Sequence, residues 1–302
     1  MAGATEIIDS IKKIVNNWTN TQVPIMEDIY AGERTIEIKN TGRFQVGDEI
    51  MIRDPIVGGE LGNTVEEIVD DTHLTLTIDL QKNWTVDQNA IVQKTYEQQM
   101  IAGIYTGEPD NIPQFPAITI LATSRDSEWL TIDSTTEDFR IDVSVYNKAA
   151  AQEKGYRANI KLTDSIIFGL KKNIYPLIAP YIAVAALTDI STGDLFVKVE
   201  STEGFEAPGR VIIEDEWKQA ELVMIEVVDD TTIKLTSPPG YNFDLEDNPL
   251  VIFCERFIYN SWPASTSFGE VFKGSLLKAA KISWFAHEEL IWLYPPRETH
   301  LH

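Results

Sequence analysis

The segment Phe44-Gln45-Val46-Gly47-Asp48-Glu49-Ile50-Met51-Ile52-Arg53-Asp54 returns without a gap as Phe205 to Asp215. Ile68 to Thr77 then matches Val227 to Thr236, sharing the run Asp-Asp-Thr. Asn83-Trp84 and Asn89 to Val92 match Asn242-Phe243 and Asn248 to Val251. Three matches in one order, at a nearly constant offset, define a duplication, so any fold for this chain must contain one small unit twice. Thr35-Ile36-Glu37-Ile38 alternates in polarity, while Leu195 to Val199 is largely apolar, and both read as half-buried strands. The Asp-Asp-Thr runs lie between two strands, where Asp opens turns. A single sheet this small cannot bury both faces, so a small closed β-barrel is expected for each copy, 31–93 and 187–254.

The three remaining pieces, 1–30, 94–186 and 255–302, amount to one ordinary domain. Ile7, Ile11, Ile14 and Trp18 recur at helical spacing and predict an amphipathic first helix. Strands are expected at Phe115–Ala122 and Phe139–Asn147, and a helix over about 154–172 with Ile160, Ile167 and Leu170 inward. The last piece returns to strands at Leu276–His287 and Leu290–Tyr294. The fold class expected is therefore α+β: a mixed β-sheet host domain flanked by helices, with two inserted homologous small β-barrel modules entering at loops.

Apolar residues at 43% and aromatic residues at 10% describe a folded chain. The formal charge of −22 argues against a nucleic-acid reader, which needs clustered Lys and Arg. Residues 31–93 hold 12 acids and 5 bases, and residues 187–254 hold 15 acids and 4 bases, so acidity belongs to the repeats and the host is nearly balanced. The apolar run Ile174 to Leu187, interrupted by Pro176 and Pro180, falls short of the roughly twenty residues a bilayer span needs. No secretory signal is visible at Met1, and no membrane partner is expected. Cys254 is the one cysteine, which excludes an internal disulfide.

The residues offer little chemistry. Asp70-Asp71 and Asp229-Asp230 lack EF-hand spacing and read as turns, and Asp244, Glu246 and Asp247 read as a solvated loop. His73, His287, His300 and His302 have no zinc-ligand spacing. No nucleophile motif and no phosphate-cradling loop occurs. No catalytic, cofactor or metal residue is assigned, and the chain is not expected to be an enzyme.

Asn111 to Ile120, Phe139 to Tyr146 and Leu162 to Leu170 together resemble the tail terminator, or tail-completion, proteins of tailed bacteriophages. The resemblance covers the host pieces alone. It implies an N-terminal helix before a mixed sheet flanked by helices, and six copies in a ring that caps the tail tube. The implied partners are further copies of the chain, the tail tube protein, the head-tail connector or stopper protein and, in a contractile phage, the tail sheath. DNA would pass through without specific binding, in a virion neck assembled in the host cytoplasm. An alternative of another class is a carbohydrate-binding or adhesive virion protein, which should expose aromatic residues at equivalent places in both repeats. Of the Trp and Tyr residues in the repeats, only Trp84 has an aromatic counterpart, Phe243. The strand at Leu276–Glu288 is apolar on both faces and needs two covers, so Trp284, Phe285, Trp292 and Tyr294 are the candidate subunit or tube interface.

Overall fold

The computed structural model describes residues 4–107, 112, 114–131, 134–148, 152–173, 182–253, 260–270 and 277–291. These form a mixed α+β structure, mostly sheet, with two helices among the described residues. The first helix, α1 (Ala4–Thr19), buries Ile7, Ile11, Ile14 and Trp18 on one face, as their spacing predicts. The Thr19 and Thr21 hydroxyls donate to the Val15, Asn17 and Trp18 carbonyls, which satisfies acceptors the ending helix leaves open.

Six strands follow: β1 (Gln22–Pro24), β2 (Thr35–Glu37), β3 (Glu49–Asp54), β4 (Gly58–Ile68), β5 (His73–Leu76) and β6 (Ile91–Thr95). Their antiparallel order is β1-β6-β3-β4-β5-β2. Just past the two end strands, Ile25 bridges Ile38, and the Met26 and Lys39 amides donate to the Glu37 and Pro24 carbonyls at 3.0 Å. The sheet therefore curls until its ends are hydrogen-bonded. Ile50, Ile52, Leu74, Leu76, Trp84 and Val92 fill the inside of the curl, each at most 1% exposed.

Next come β7 (Gly103–Thr106), β8 (Ala117–Thr131), β9 (Ser134–Lys148) and the helix α2 (Gln152–Lys172). A second set of six strands then repeats the first: β10 (Ile182–Ala185), β11 (Phe196–Lys198), β12 (Gly209–Glu214), β13 (Gln219–Asp229), β14 (Thr232–Leu235) and β15 (Leu250–Phe253). The order β10-β15-β12-β13-β14-β11 is that of the first sheet, and Ala186 bridges Val199 where Ile25 bridges Ile38. The sequence duplication is thus a duplication of topology. Both curled sheets begin earlier than expected, at Gln22 and Ile182 instead of 31 and 187. The added strands are short, Pro24 lacks an amide donor, and Ile182–Ala185 lies inside an apolar run that reads as host.

The chain finishes with β16 (Asn260–Glu270) and β17 (Leu277–Ile291), in a third sheet ordered β16-β17-β9-β8-β7. This sheet is mixed, since β7 and β8 run parallel and the other pairs antiparallel. Where two strands were expected, at 276–287 and 290–294, Leu277–Ile291 is one strand paired with β9 throughout, and 276 and 292–294 lie outside the described residues. Helices α1 and α2 cover one face. Phe139, Ile141, Val143 and Val145 of β9 meet them with no exposed surface. The inward stripe of α2 is Ala158, Leu162, Ile166 and Leu170, a different register from the one expected, with Ile160 partly exposed and Ile167 only flanking the core. Two buried polar residues on that stripe, Asn159 and Thr163, mask its periodicity. Gly169 lets the helices meet, because a Cβ there would lie 2.5 Å from the Trp18 ring.

Candidate functional site

The strand β17 carries two of the four residues expected at an interface. Trp284 is completely buried beside Ile282 and Ala280 under the helices, so it belongs to the chain's own core and cannot meet a neighbour. That corrects its assignment. The alternation of a strand turns Phe285 to the opposite face. There it stacks on Trp262 of β16, with centroids 5.9 Å apart and planes 15° apart, while the Arg140 guanidinium lies 5.6 Å from the Phe285 ring. Trp262 keeps 45% of its surface exposed. Trp292 and Tyr294 lie outside the described residues. The same face is more polar than its sequence implies. Lys281 pairs with Asp142 at 2.5 Å, and the Ser283 hydroxyl donates to the same carboxylate at 2.8 Å. Two residues that interrupt the apolar pattern of β17 thus converge on one acid from β9.

A second surface joins the two curled sheets, and the sequence reading missed it. The turn between β12 and β13 is built by Asp215, whose carboxylate accepts from the Trp217 and Lys218 amides at 2.6 Å. Asp54 builds the matching turn in the first sheet, accepting from the Ile56 and Val57 amides. Trp217 at the second tip packs into the core of the first sheet and is only 8% exposed. The Arg43 guanidinium lies 4.5 Å from its ring centroid. Around this contact the first sheet supplies cations and the second supplies acids. Lys39 meets Asp247 at 2.8 Å and Arg43 approaches Glu216 at 3.9 Å, while Lys13 of α1 reaches Glu214 at 3.0 Å. Burial lowers the Arg43 pKa, with Glu216 and Asp215 acting against the shift. Burial also raises Asp215 above the usual carboxylate range. A cleft of about 610 Å³ runs along this junction, lined by α1 and by the Asp215 turn. Two of its acids, Glu214 and Asp247, pair with Lys13 and Lys39, and the lining carries more acids than bases.

A third contact fixes the first sheet to the helices. Lys94 of β6 is 1% exposed and pairs with Asp48 at 2.7 Å. Its ammonium also lies 3.5 Å from the Ser165 hydroxyl of α2. The Tyr96 hydroxyl donates toward Ser165, which donates to the Trp18 carbonyl. Burial lowers the Lys94 pKa and raises that of Tyr96. Lys161 of α2 completes the join by pairing with Glu49 and Glu97.

The acidic repeats are turn chemistry. Asp70 accepts from the Thr72 and His73 amides at 2.8 and 2.7 Å, and Asp229 accepts from the Thr231 amide at 2.8 Å. The Thr72 amide, seconded by the His73 ring, holds the Asp70 pKa down at about 2. Asp244, Glu246 and Asp247 surround a short helical turn, with Asp247 committed to Lys39. His287 is on β17, and His300 and His302 lie outside the described residues. Of the aromatic pairs the repeats share, Trp84 and Phe243 are fully buried, and Phe44 and Phe205 are buried as well. The chain matches none of the protein-family models and none of the curated proteins with which it was compared.

Proposed function

We propose that this chain is a structural protein of a tailed-phage neck. In this reading, copies form a ring, of six by the resemblance, that terminates the tail tube and joins it to the head connector or stopper. The observation that carries it is the face of the five-stranded sheet opposite the helix layer, which no other described element covers and where Trp262, stacked on Phe285, stays half exposed. Aromatic residues beside an Arg at such a position are typical of protein interfaces. Among the described residues β16 and β7 are the end strands of this sheet, and edges there would let sheets continue from one subunit to the next. A closed ring of identical subunits needs such a heterologous contact.

The finer architecture belongs to the same reading. Each curled sheet is a small closed barrel inserted into one host domain, a view supported by its hydrogen-bonded ends. The pairing of β1 with β6, and of β10 with β15, brings the entry and exit of each insertion side by side. The ring would be a virion component assembled in the cytoplasm, with the tail tube protein and, in a contractile phage, the sheath as further partners. DNA would pass through it without specific contacts, and no catalysis is part of the role. The adhesive alternative draws no support from the aromatic pairs common to both repeats, which are buried. The test is tube growth: adding the purified chain to polymerising tube protein should arrest elongation and leave a cap on one end. Tubes of unchanged length without caps would reject the neck role.

A further inference from the structure

The duplication places one question side by side with its answer. Of two equivalent hairpin tips, the β12–β13 tip is docked on the sister sheet through Trp217, whereas the β3–β4 tip is bare. Ile56 occupies the position of Trp217 and is 75% exposed, with Val57 beside it at 39% and Leu61 on the departing strand at 49%. An apolar tip of this kind is costly to keep in water unless something covers it.

The surface matching the Trp217 socket is also free on the second sheet. By the repeat, Lys39, Gly42 and Arg43 correspond to Glu200, Glu203 and Gly204. Glu200, Glu203 and Gly204 are exposed. Gly204, at φ +82°, has no side chain, and the exposed Ile182 fills the place where a Cβ would stand, offering an apolar surface where the first sheet has Arg43. One charge on each side is reversed: Lys39 of the docked contact corresponds to Glu200, and Glu214 beside the docked tip corresponds to Arg53 beside the bare one, where Asp54 and Glu60 also lie. In one chain the two bare surfaces do not meet, since Ile56 is exposed.

We infer that the Ile56 tip docks on the second curled sheet of another copy of this chain, beside Gly204, repeating between subunits the contact that Trp217 makes within one. The contact is heterologous, so it propagates from copy to copy and closes where the rotation permits. It concerns self-association, and it stands apart from the phage role and from the sheet face proposed above.

The test uses full-length chains carrying Cys254→Ser. One carries Ile56→Cys and the other, with a mass tag, carries Glu203→Cys, which spares the strained Gly204 backbone. On mixing and mild oxidation, the tagged–untagged heterodimer should be the main disulfide product. Homodimers of the Ile56→Cys chain, or no heterodimer above that of a control pairing with Glu226→Cys, would overturn the inference. Ile56→Asp should weaken self-association at least tenfold by sedimentation velocity. An unchanged assembly in Ile56→Asp would defeat the tip contact and leave the sheet-face reading intact. Heterodimer formation that survives Trp262→Glu would uphold the tip contact even if the sheet-face reading fails. A wild-type chain that does not associate, together with a cysteine pair that does not cross-link, defeats both.

Discussion

Arg43 and Trp217 belong to different curled sheets, yet the Arg43 guanidinium sits 4.5 Å from the Trp217 ring and helps close the core of the first sheet. The two repeats are therefore one mechanical unit, with a side chain of one serving as core of the other. Cation–π contact of a largely buried Arg adds roughly 1–2 kcal/mol to the apolar burial of the indole. Trp217→Ala should cost about 3–4 kcal/mol, in the range of buried Trp truncations. Urea denaturation followed by Trp fluorescence would measure it, and a loss under 1 kcal/mol would mean the junction is incidental.

The buried pair Lys94–Asp48 has a counterpart of different chemistry. By the repeat, Lys94 corresponds to Phe253 and Asp48 to Gly209, where a Cβ would lie 2.5 Å from the Phe253 ring. One site uses an ion pair and the other an aromatic ring over a glycine. Lys94→Phe alone should clash with Asp48, and Asp48→Gly alone should strand a buried ammonium, each costing about 3–5 kcal/mol. The double variant should recover part of that, with a coupling of about 1–3 kcal/mol in thermal or chemical unfolding. Additive losses would show that the two positions do not pack as a unit.

Much of this fold was legible. The repeat could be read because its strands alternate and its Asp-built turns recur, and α1 because four large apolar residues share one helical face. What escaped reading depends on contacts between segments far apart in sequence. Nothing local distinguishes Trp217, docked, from Ile56, exposed, although a Trp at a polar hairpin tip was a signal that something must cover it. The β17 pattern predicted two buried faces, but alternation alone could not say that Lys281 and Ser283 would converge on Asp142. Nor could it assign Trp284 to the helix side.

Asp70 supplies a pH prediction. Its carboxylate is held at about 2 by the Thr72 amide and the His73 ring, below its ordinary 3.8. A depressed carboxylate contributes stability that is present above the unfolded value and lost as pH falls through the folded one. Carboxyl NMR should give an Asp70 midpoint near 2, and Asp70→Asn should flatten the stability curve between pH 4 and pH 2. The group is exposed, so the change should be small. An ordinary midpoint would show that the turn does not hold the charge.

The neighbours Trp284 and Trp262 should respond oppositely to charge. Trp284→Glu places an unpaired carboxylate in the core under α1 and α2, a cost of several kcal/mol that should abolish cooperative unfolding. Trp262→Glu should leave circular dichroism and melting nearly unchanged while weakening assembly. Should Trp262→Glu unfold the chain, the open sheet face would be core and not contact surface.

The neck role rests on assembly. Native mass spectrometry of the purified wild-type chain across a concentration series tests it most directly. A single closed oligomer, of six subunits by the resemblance, is expected, and it should dissociate in Trp262→Glu. A wild-type chain that stays monomeric at every concentration, or an oligomer indifferent to Trp262→Glu, would contradict it.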